Sequence, residues 1–505
     1  MQADSASTID DSIRKEKRAQ DVDDVDATVR GASPTGVKDI EDAVFGAIGE
    51  DGPNYRNLGW TGACIVMIKV QVGLGVLSIP ATMHTLGIVP CVLLMLLVCA
   101  MNTWSDWVVG AFKRRHPEVY SVADVGYMFG GVIGREVMGA IYWIFMVAVV
   151  GSSMLSISIA LNAMSMHATC TAVFVAVALV ITFIFASIQT LDKIAWLTWS
   201  AVFGLVAARE YLRFRVPSAA VADQWVSCRF LVLVVTIGVG IQDRPADAPA
   251  TGPWDKDLQI FGKPSFLAAM SAVAQLVTAF AGAPAFFSIA AEMRDVRLFS
   301  RSLYCAQTFM ISLYLAIGIT VYYYSGQYVA SPALGSAGVL LKRVAYGIAL
   351  PALIVTSVIY AHLPAKWMFV RALQGTPDLT KNTVKHWVYW LGSVFIVVIV
   401  AYIIASAVPV FSGLLGVIGA LFCAWLCVSF PSLMWFYDKW SERKTNKSWG
   451  YRLVFAWNVF QVLAGFFIMI AGTWGSVIEI RDAYNANGGT KPFACDDNSN
   501  SVPSS

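Results

Sequence analysis

The sequence predicts an all-α polytopic membrane protein with eleven transmembrane helices, built as two inverted five-helix repeats plus one extra helix. Three observations predict it. Of the 505 residues, 57% are hydrophobic and 14% are charged, whereas soluble domains carry about 25% charged residues. Apolar runs of about 20 residues, the length that crosses a bilayer, recur from residue 60 onwards. The first and the sixth of these runs contain residues that break a helix.

The two ends of the chain are polar. Residues 1–57 carry a net charge of −6, and the remaining residues carry +9. Low hydrophobicity with high charge is typical of disorder, so we predict a disordered acidic cytoplasmic tail over 1–57, which regulatory partners could bind. A transmembrane transporter domain is predicted over 58–480 and an extracytoplasmic tail over 481–505. Nothing in the charge pattern indicates binding to nucleic acid.

Short links separate the predicted spans. The spans lie near 60–86, 88–111, 137–163, 170–188, a split fifth, 265–291, 302–325, 340–363, 387–408, 411–436 and 453–478. Lys and Arg are concentrated in alternate links, after spans two, four, six, eight and ten. Two exceptions are the 242–264 link, which also holds Arg and Lys, and the outer start of span eight at Lys342 and Arg343. Because cytoplasmic loops hold an excess of Lys and Arg, we expect the N-terminus in the cytoplasm. With an odd number of spans, the C-terminus is then outside.

The fifth span is interrupted. Apolar residues run from Ile194 to Ala208 and again from Leu231 to Ile241, and neither run alone reaches the ~20 residues of a crossing. Counting two crossings would invert the charge pattern of every later link. We therefore predict a single span that carries an insertion at 209–230.

Span one breaks at Val72-Gly73-Leu74-Gly75, and span six breaks at Phe280-Ala281-Gly282, before Pro284. Irregular backbone at membrane depth survives only where protein or a water-filled cavity covers it. Two breaks five crossings apart indicate inverted repeats with a binding site between them. Backbone amides without a helical partner at span one suit a carboxylate. Backbone carbonyls without a helical partner at span six suit an ammonium group. A zwitterionic amino acid carries both groups. The alternative is that these residues are only kinks and close-packing points.

Polar residues near the breaks are further candidates. Lys69, one turn before Gly73, could take the place of a sodium ion or take part in proton coupling; alternatively, its side chain reaches the membrane interface. Glu292 at the end of span six, close to Arg294, is interpreted as half of a gating or interfacial ion pair; the alternative is that it carries the proton. Ser152 in span three offers a hydroxyl to substrate or to neighbouring helices.

Other groups are given structural roles. Asp106 is interpreted as an anchor at the cytoplasmic end of span two, and His362 with Lys366 as an interfacial pair. The nine cysteines have no spacing that indicates a metal site or a disulfide framework, so we expect small buried residues. Enzyme motifs such as HExxH, GxSxG and the P-loop are absent from the sequence. We therefore predict no enzyme activity, no catalytic residue, no metal and no cofactor.

Several separated segments resemble the amino acid/auxin permease family, within the amino acid–polyamine–organocation superfamily, and are most similar to its fungal neutral amino acid permeases. These segments are KVQVGLGVLSIP at 69–80, GPNYRNLGW at 52–60, AGAPAFFSIAAEMRD at 281–295 and GIQDRP at 240–245. The resemblance covers about 43–480. This chain departs from the family in the 209–230 insertion, in Phe280 where tyrosine is frequent, and in Val296 where proline is expected.

The resemblance implies a fold related to the sodium–leucine symporter and secondary active uptake of neutral aliphatic or aromatic L-amino acids across the lipid bilayer. It implies a proton as the coupling ion, with sodium less favoured, and places the chain in the plasma membrane. On span eight, Thr356 and Ser357 would face the ion position beside span one, and Tyr360 would contact substrate. Three alternatives stay open: an amino acid sensor with little transport, a vacuolar transporter, and a channel.

Overall fold

The computed structural model places most of the predicted membrane domain. The described residues are 58–72, 75–188, 254–373, 376–379, 383–445, 448–486, 492–493 and 495–499, together with 41–42, 46–47, 245 and 248–249. The predicted span five, its insertion at 209–230, and Gly73 and Leu74 of the first break lie outside them. In the N-terminal unit, Glu41–Asp42 pairs antiparallel with Gly46–Ala47.

Among the described residues, ten of the eleven predicted spans are present as helices, and the count of eleven stays a prediction. Span one consists of Trp60–Gln71, the 3-10 turn Gly75–Leu77 and Ile79–Leu86. The following spans are Ile88–Arg115, Val122–Ser165, Thr171–Ala186, then span six as Phe266–Ala279 with Ala283–Glu292, and spans seven to eleven as Phe299–Ser325, Val339–Leu373, Val384–Ala407, Phe411–Lys439 and Trp449–Ala486. Within the part of the chain that the structure describes, eight helical segments are long and apolar enough to cross a membrane. The all-α fold class is confirmed.

The helix ends define two opposite faces of the protein. Span two has 28 residues, which at 1.5 Å per residue exceeds the ~30 Å hydrocarbon core, and its last turn carries Lys113, Arg114 and Arg115. Positive charge is favourable at this end of a helix because the terminal carbonyls carry partial negative charge. We call this side the basic face. The side where span three ends and span four begins is the tail face, because the C-terminal segment 492–499 packs there.

The tail face contains a disulfide bond between Cys170, just before span four, and Cys495 of the C-terminal segment. The expectation that no disulfide framework is present is therefore wrong for this pair. The two residues are 325 positions apart, so spacing along the chain could not reveal them. Six cysteines inside the described spans are free. Cys64, Cys91, Cys423 and Cys427 are buried, as expected, whereas Cys99 and Cys305 are half-buried.

The described spans pack in two groups. Spans three, four, eight and nine contact one another, and we call them the scaffold. Spans one, two, six and seven contact one another, and we call them the bundle. Spans ten and eleven pack against span six. Both broken spans belong to the bundle, and Tyr360 of scaffold span eight reaches the break of span one, where its hydroxyl donates to the Val70 carbonyl.

Candidate functional site

Span one is interrupted at mid-length, as predicted. Its first helix ends at Gln71, a 3-10 turn begins at Gly75, and helix resumes at Ile79 with Pro80 in its first turn. The Ser78 hydroxyl donates to the Gly75 carbonyl at 2.9 Å. Proline lacks an N–H and is tolerated at a helix start, where that N–H has no partner anyway. The second half of span one therefore begins in the middle of the protein.

Span six is interrupted in the same way. Its first helix ends at Ala279, and helix resumes at Ala283 with Pro284 in its first turn. Phe280 and Ala281 lie between the two helices, and Gly282 precedes the second. Each break leaves carbonyl groups at the end of one helix and N–H groups at the start of the next without helical partners.

The two breaks touch each other. A Cβ atom on Gly75 would lie 2.3 Å from the Ala279 Cα, so only glycine allows the backbones to come this close. From span one, the Gln71 side-chain amide donates to the Phe280 carbonyl at 3.1 Å. The predicted pairing of the two breaks is therefore a direct contact between backbones.

Two tyrosine hydroxyls bind the freed carbonyls. The Tyr314 hydroxyl of span seven lies 2.8 Å from both the Gln71 and the Ala279 carbonyl oxygens. The Tyr360 hydroxyl of span eight donates to the Val70 carbonyl at 2.6 Å. Tyr360 was a predicted site residue, whereas Tyr314 was missed. The available signal was a tyrosine within an apolar span, because a buried phenol hydroxyl needs a partner.

A small cavity lies beside the breaks. Its volume of about 30 Å³ has room for roughly two water molecules, so the walls must move apart to admit an amino acid. The lining residues come from spans one, three, six, eight and ten, and among these described residues none is charged. They are Val70, Gln71, Gly75, Phe145, Val149, Ser152, Thr278, Ala281, Thr356, Tyr360, Leu415 and Cys423.

The structure brings four of the predicted substrate-binding residues and one predicted coupling residue, Thr356, together at this cavity. Gly75, Ala281, Ser152, Thr356 and Tyr360 all line it. The Ser152 hydroxyl also donates to the Val149 carbonyl of its own helix at 2.9 Å. Residues from both repeats therefore share one cavity.

Other predicted residues lie around the cavity rather than on its wall. The Phe280 ring is fully buried against the Tyr314 ring, with centroids 5.0 Å apart, and only its carbonyl is directed to the break. Ser357 faces span four, where its hydroxyl lies 2.9 Å from that of Thr182. The predicted coupling role of Ser357 thus has no support from its position. Val72 is half-buried at the end of the first helix.

A buried ion pair joins the bundle to the scaffold. Lys366 Nζ of span eight lies 3.2 Å from Glu292 Oε1 of span six, with side chains 11% and 15% exposed. Glu292 was expected to form a gating or interfacial ion pair, and its partner in this structure is Lys366. An ion pair across the two moving groups can hold them together on the basic face.

Three further ionisable side chains were given roles from the sequence, and the structure shows where each of them lies. His362 is fully buried against the Trp390 ring, so it is not an interfacial residue. Asp106 is not an interfacial anchor, because it is fully buried and its Oδ2 accepts a hydrogen bond from Gln307 at 2.9 Å. Lys69 is half-buried in the last turn of the first helix of span one, and its coupling role stays a prediction.

The site consists of two broken helices, one from each repeat, which meet at a cavity between bundle and scaffold. This architecture is typical of secondary transporters. Fold and site therefore define a membrane transport protein rather than an enzyme. Residues 56–478 match the family described as transmembrane amino acid transporter protein, and the chain belongs to this family.

Known proteins of this kind are similar over most of their length. A transmembrane transporter of Gibberella moniliformis is 31% identical over 452 residues, 90% of each chain. The N amino acid transport system protein of Neurospora crassa is 30% identical over 454 residues, 88% of this chain and 90% of the relative. A solved nucleobase-cation-symport-1 family transporter, closed around bromovinylhydantoin, has a TM-score of 0.51 at 12% identity and covers 90% of this chain and 99% of its own. This likeness supports the fold.

Proposed function

We propose that this protein imports neutral amino acids by proton symport through alternating access. The observation that carries the proposal is the cavity between the two breaks, whose described lining residues include no charged side chain. A charged substrate side chain would be left there without a counter-charge, which is costly inside a protein. A neutral side chain, aliphatic or aromatic, meets apolar walls and a few hydroxyls.

The breaks supply partners for the amino acid backbone. The helices Ile79–Leu86 and Ala283–Glu292 begin at the site, and helix starts attract a carboxylate. The helices that end there provide the carbonyls of Val70, Gln71 and Ala279 for an ammonium group. Tyrosine hydroxyls occupy these carbonyls in the present conformation. Substrate binding thus requires an exchange of hydrogen bonds as well as a wider cavity.

The proposed orientation places the basic face in the cytoplasm and the tail face outside. Disulfides persist in oxidising compartments, and the Cys170–Cys495 bond lies on the tail face. Excess Lys and Arg favour the cytoplasm for the opposite face. Both signals agree with a cytoplasmic N-terminus, an extracellular C-terminus and the plasma membrane. A vacuolar lumen would also accommodate the disulfide, so localisation of a tagged full-length chain decides between these membranes.

The ion pair between Glu292 and Lys366 supplies a gate in the proposed cycle. It joins span six to span eight, so the basic face cannot open while the pair is intact. Substrate and proton enter from the tail face, the bundle rocks against the scaffold, and the pair separates to release substrate inward. The proton must bind one facing state more tightly than the other for substrate to be concentrated.

Uptake into proteoliposomes with independent proton and sodium gradients tests the proposal. We expect a proton gradient alone to accumulate labelled leucine and phenylalanine, with little uptake of lysine or glutamate. Accumulation driven by sodium alone, or equal uptake of charged amino acids, contradicts the proposal. Saturable binding of leucine without accumulation under any gradient would favour the sensor instead.

A further inference from the structure

Asp106 lies in a fully enclosed polar cluster away from the cavity. Asn102, Ser105 and Asp106 are spaced i, i+3 and i+4 on span two, which places them on one face of the helix. Gln307 of span seven faces them and donates its amide to Asp106 Oδ2 at 2.9 Å. The first three residues are 0% exposed, and Gln307 is 3% exposed.

Most of the unpartnered polar atoms in this cluster are hydrogen-bond acceptors. Asp106 Oδ1, Asn102 Oδ1 and Gln307 Oε1 are buried oxygen atoms without a hydrogen-bond donor among the described residues, and the Ser105 hydroxyl is also unpartnered. The Asn102 amide donates to the Val98 carbonyl of its own helix. Among the described residues, the hydrogen bond that reaches the carboxyl group comes from Gln307. In this conformation an ionised Asp106 would therefore be enclosed with one neutral hydrogen bond, which is a poor substitute for its hydration.

We propose that Asp106 is the site that binds the transported proton, an inference that rests on the proposed proton symport. A proton from the aqueous phase binds Asp106 Oδ1 and removes the negative charge. The new O–H then donates to one of the unpartnered acceptors of the cluster. Release reverses both changes and leaves the carboxylate. The acceptor-rich surroundings stabilise the protonated form in the present conformation.

The position of Asp106 suits coupling. Spans two and seven both belong to the bundle, so the cluster moves with the bundle when it rocks against the scaffold. Asp106 is nine residues before the end of span two at Arg115, about 14 Å along the helix from the basic face. Opening of that face can hydrate the cluster, stabilise the carboxylate and release the proton inward.

Among the described residues, the titratable groups that interact electrostatically with Asp106 are thiols. The group that faces it from another described helix is the Cys427 thiol of span ten, and Cys99 lies on its own helix. Several charged side chains on the neighbouring described elements have partners elsewhere. These are Glu292 with Lys366, Asp438 with Arg115 and His116, and Arg301 stacked on Trp60.

Asp106→Asn tests the inference in proteoliposomes. We expect proton-driven accumulation of labelled leucine to fall to the passive level, whereas exchange of labelled for unlabelled leucine, which needs no net proton movement, persists at a reduced rate. Glu118→Gln is the matched control. It makes the same carboxyl-to-amide change at a side chain 59% exposed beyond span two, and should accumulate leucine as the wild type does.

Infrared spectroscopy provides a second measurement. The wild type should show the carbonyl band of a protonated carboxyl group at neutral pH, and Asp106→Asn should lack it. Gln307→Met removes the donor that stabilises the carboxylate, so the pH of half-maximal uptake should move to a higher value. An unmoved pH dependence in Gln307→Met overturns the inference even if Asp106→Asn does not fold.

The outcomes separate the inference from the proposed function. Proton-driven accumulation in the wild type that persists in Asp106→Asn overturns the role of Asp106 and leaves proton symport intact. A wild type driven by sodium alone overturns proton symport itself. If the carboxyl band of Asp106→Asn is as strong as that of the wild type, the band comes from another residue and Asp106 is ionised. This result contradicts the inference whichever gradient drives uptake.

Discussion

Gly75→Ala should push the two breaks apart. The new Cβ would lie 2.3 Å from the Cα and 2.6 Å from the Cβ of Ala279, whereas packed carbon atoms stay about 3.5–4.0 Å apart. The backbones must therefore separate by more than about 1 Å. A change of rotamer cannot relieve the overlap, because the nearest atom belongs to the Ala279 backbone. Overpacking of this kind costs about 1–3 kcal/mol.

This cost should appear as a loss of substrate affinity, since carbonyls and helix starts of both breaks shape the proposed site. At 1.4 kcal/mol for each factor of ten, 1–3 kcal/mol corresponds to roughly a 5- to 150-fold weaker binding of leucine. Equilibrium binding of labelled leucine to purified protein measures it, with thermal unfolding as a check on folding.

Gly62→Ala is the control within the same span. Its Cβ would lie 3.0 Å from Leu58 Cδ1, the end of a side chain that can rotate away. Alanine also favours helix over glycine by roughly 0.5–1 kcal/mol, so affinity should stay unchanged. Wild-type affinity in Gly75→Ala would refute the idea that the contact between the two breaks shapes the binding site.

Three further substitutions test the contacts around the site. Tyr314→Phe removes the hydroxyl that the substrate ammonium must displace from the Gln71 and Ala279 carbonyls. These carbonyls are then unpartnered until substrate binds, so leucine binding should strengthen by about 1–3 kcal/mol. Tyr322→Phe in the same span should leave affinity unchanged, and equal affinities in both variants would contradict the assignment. Lys366→Glu places like charges together and should abolish uptake, which Glu292→Lys in the double variant should partly restore; a double variant no better than the single one argues against a gate. Cys495→Ser should lower the free energy of unfolding by about 2–4 kcal/mol, and reductant should destabilise the wild type to a similar extent. A wild type whose thermal unfolding does not respond to reductant would contradict the disulfide.

Local sequence was sufficient for the spans and for their two interruptions. A run of apolar residues must satisfy its backbone as a helix inside a membrane, and small residues or glycines close to a proline weaken that helix. A proline alone does not end it, since Pro351 and Pro364 lie inside the helix of span eight. The break at Phe280-Ala281-Gly282 could therefore be placed to the residue. The same reasoning predicted that the two breaks form one site, because both lie at the middle of the bilayer.

Partners distant along the chain could not be predicted. Tyr314 is 243 residues from Gln71 and 35 from Ala279, and no periodicity in span seven shows which side of it faces the breaks. Asp106 illustrates the same limit. Its position in the chain suggested an interface, whereas the packing of span seven over span two encloses it and supplies Gln307. Ser357, one residue from Thr356, faces span four instead of the cavity.

By itself, the sequence determined that the chain crosses a membrane many times and that spans one and six break, because hydrophobic length and helix-breaking residues act locally. Tertiary structure alone decided which side chains occupy the freed carbonyls, which charges pair across bundle and scaffold, and which cysteines join. Those outcomes depend on the rotation of each helix and on the distance between helices. Both are set by the packing of whole surfaces, which no short stretch of sequence contains.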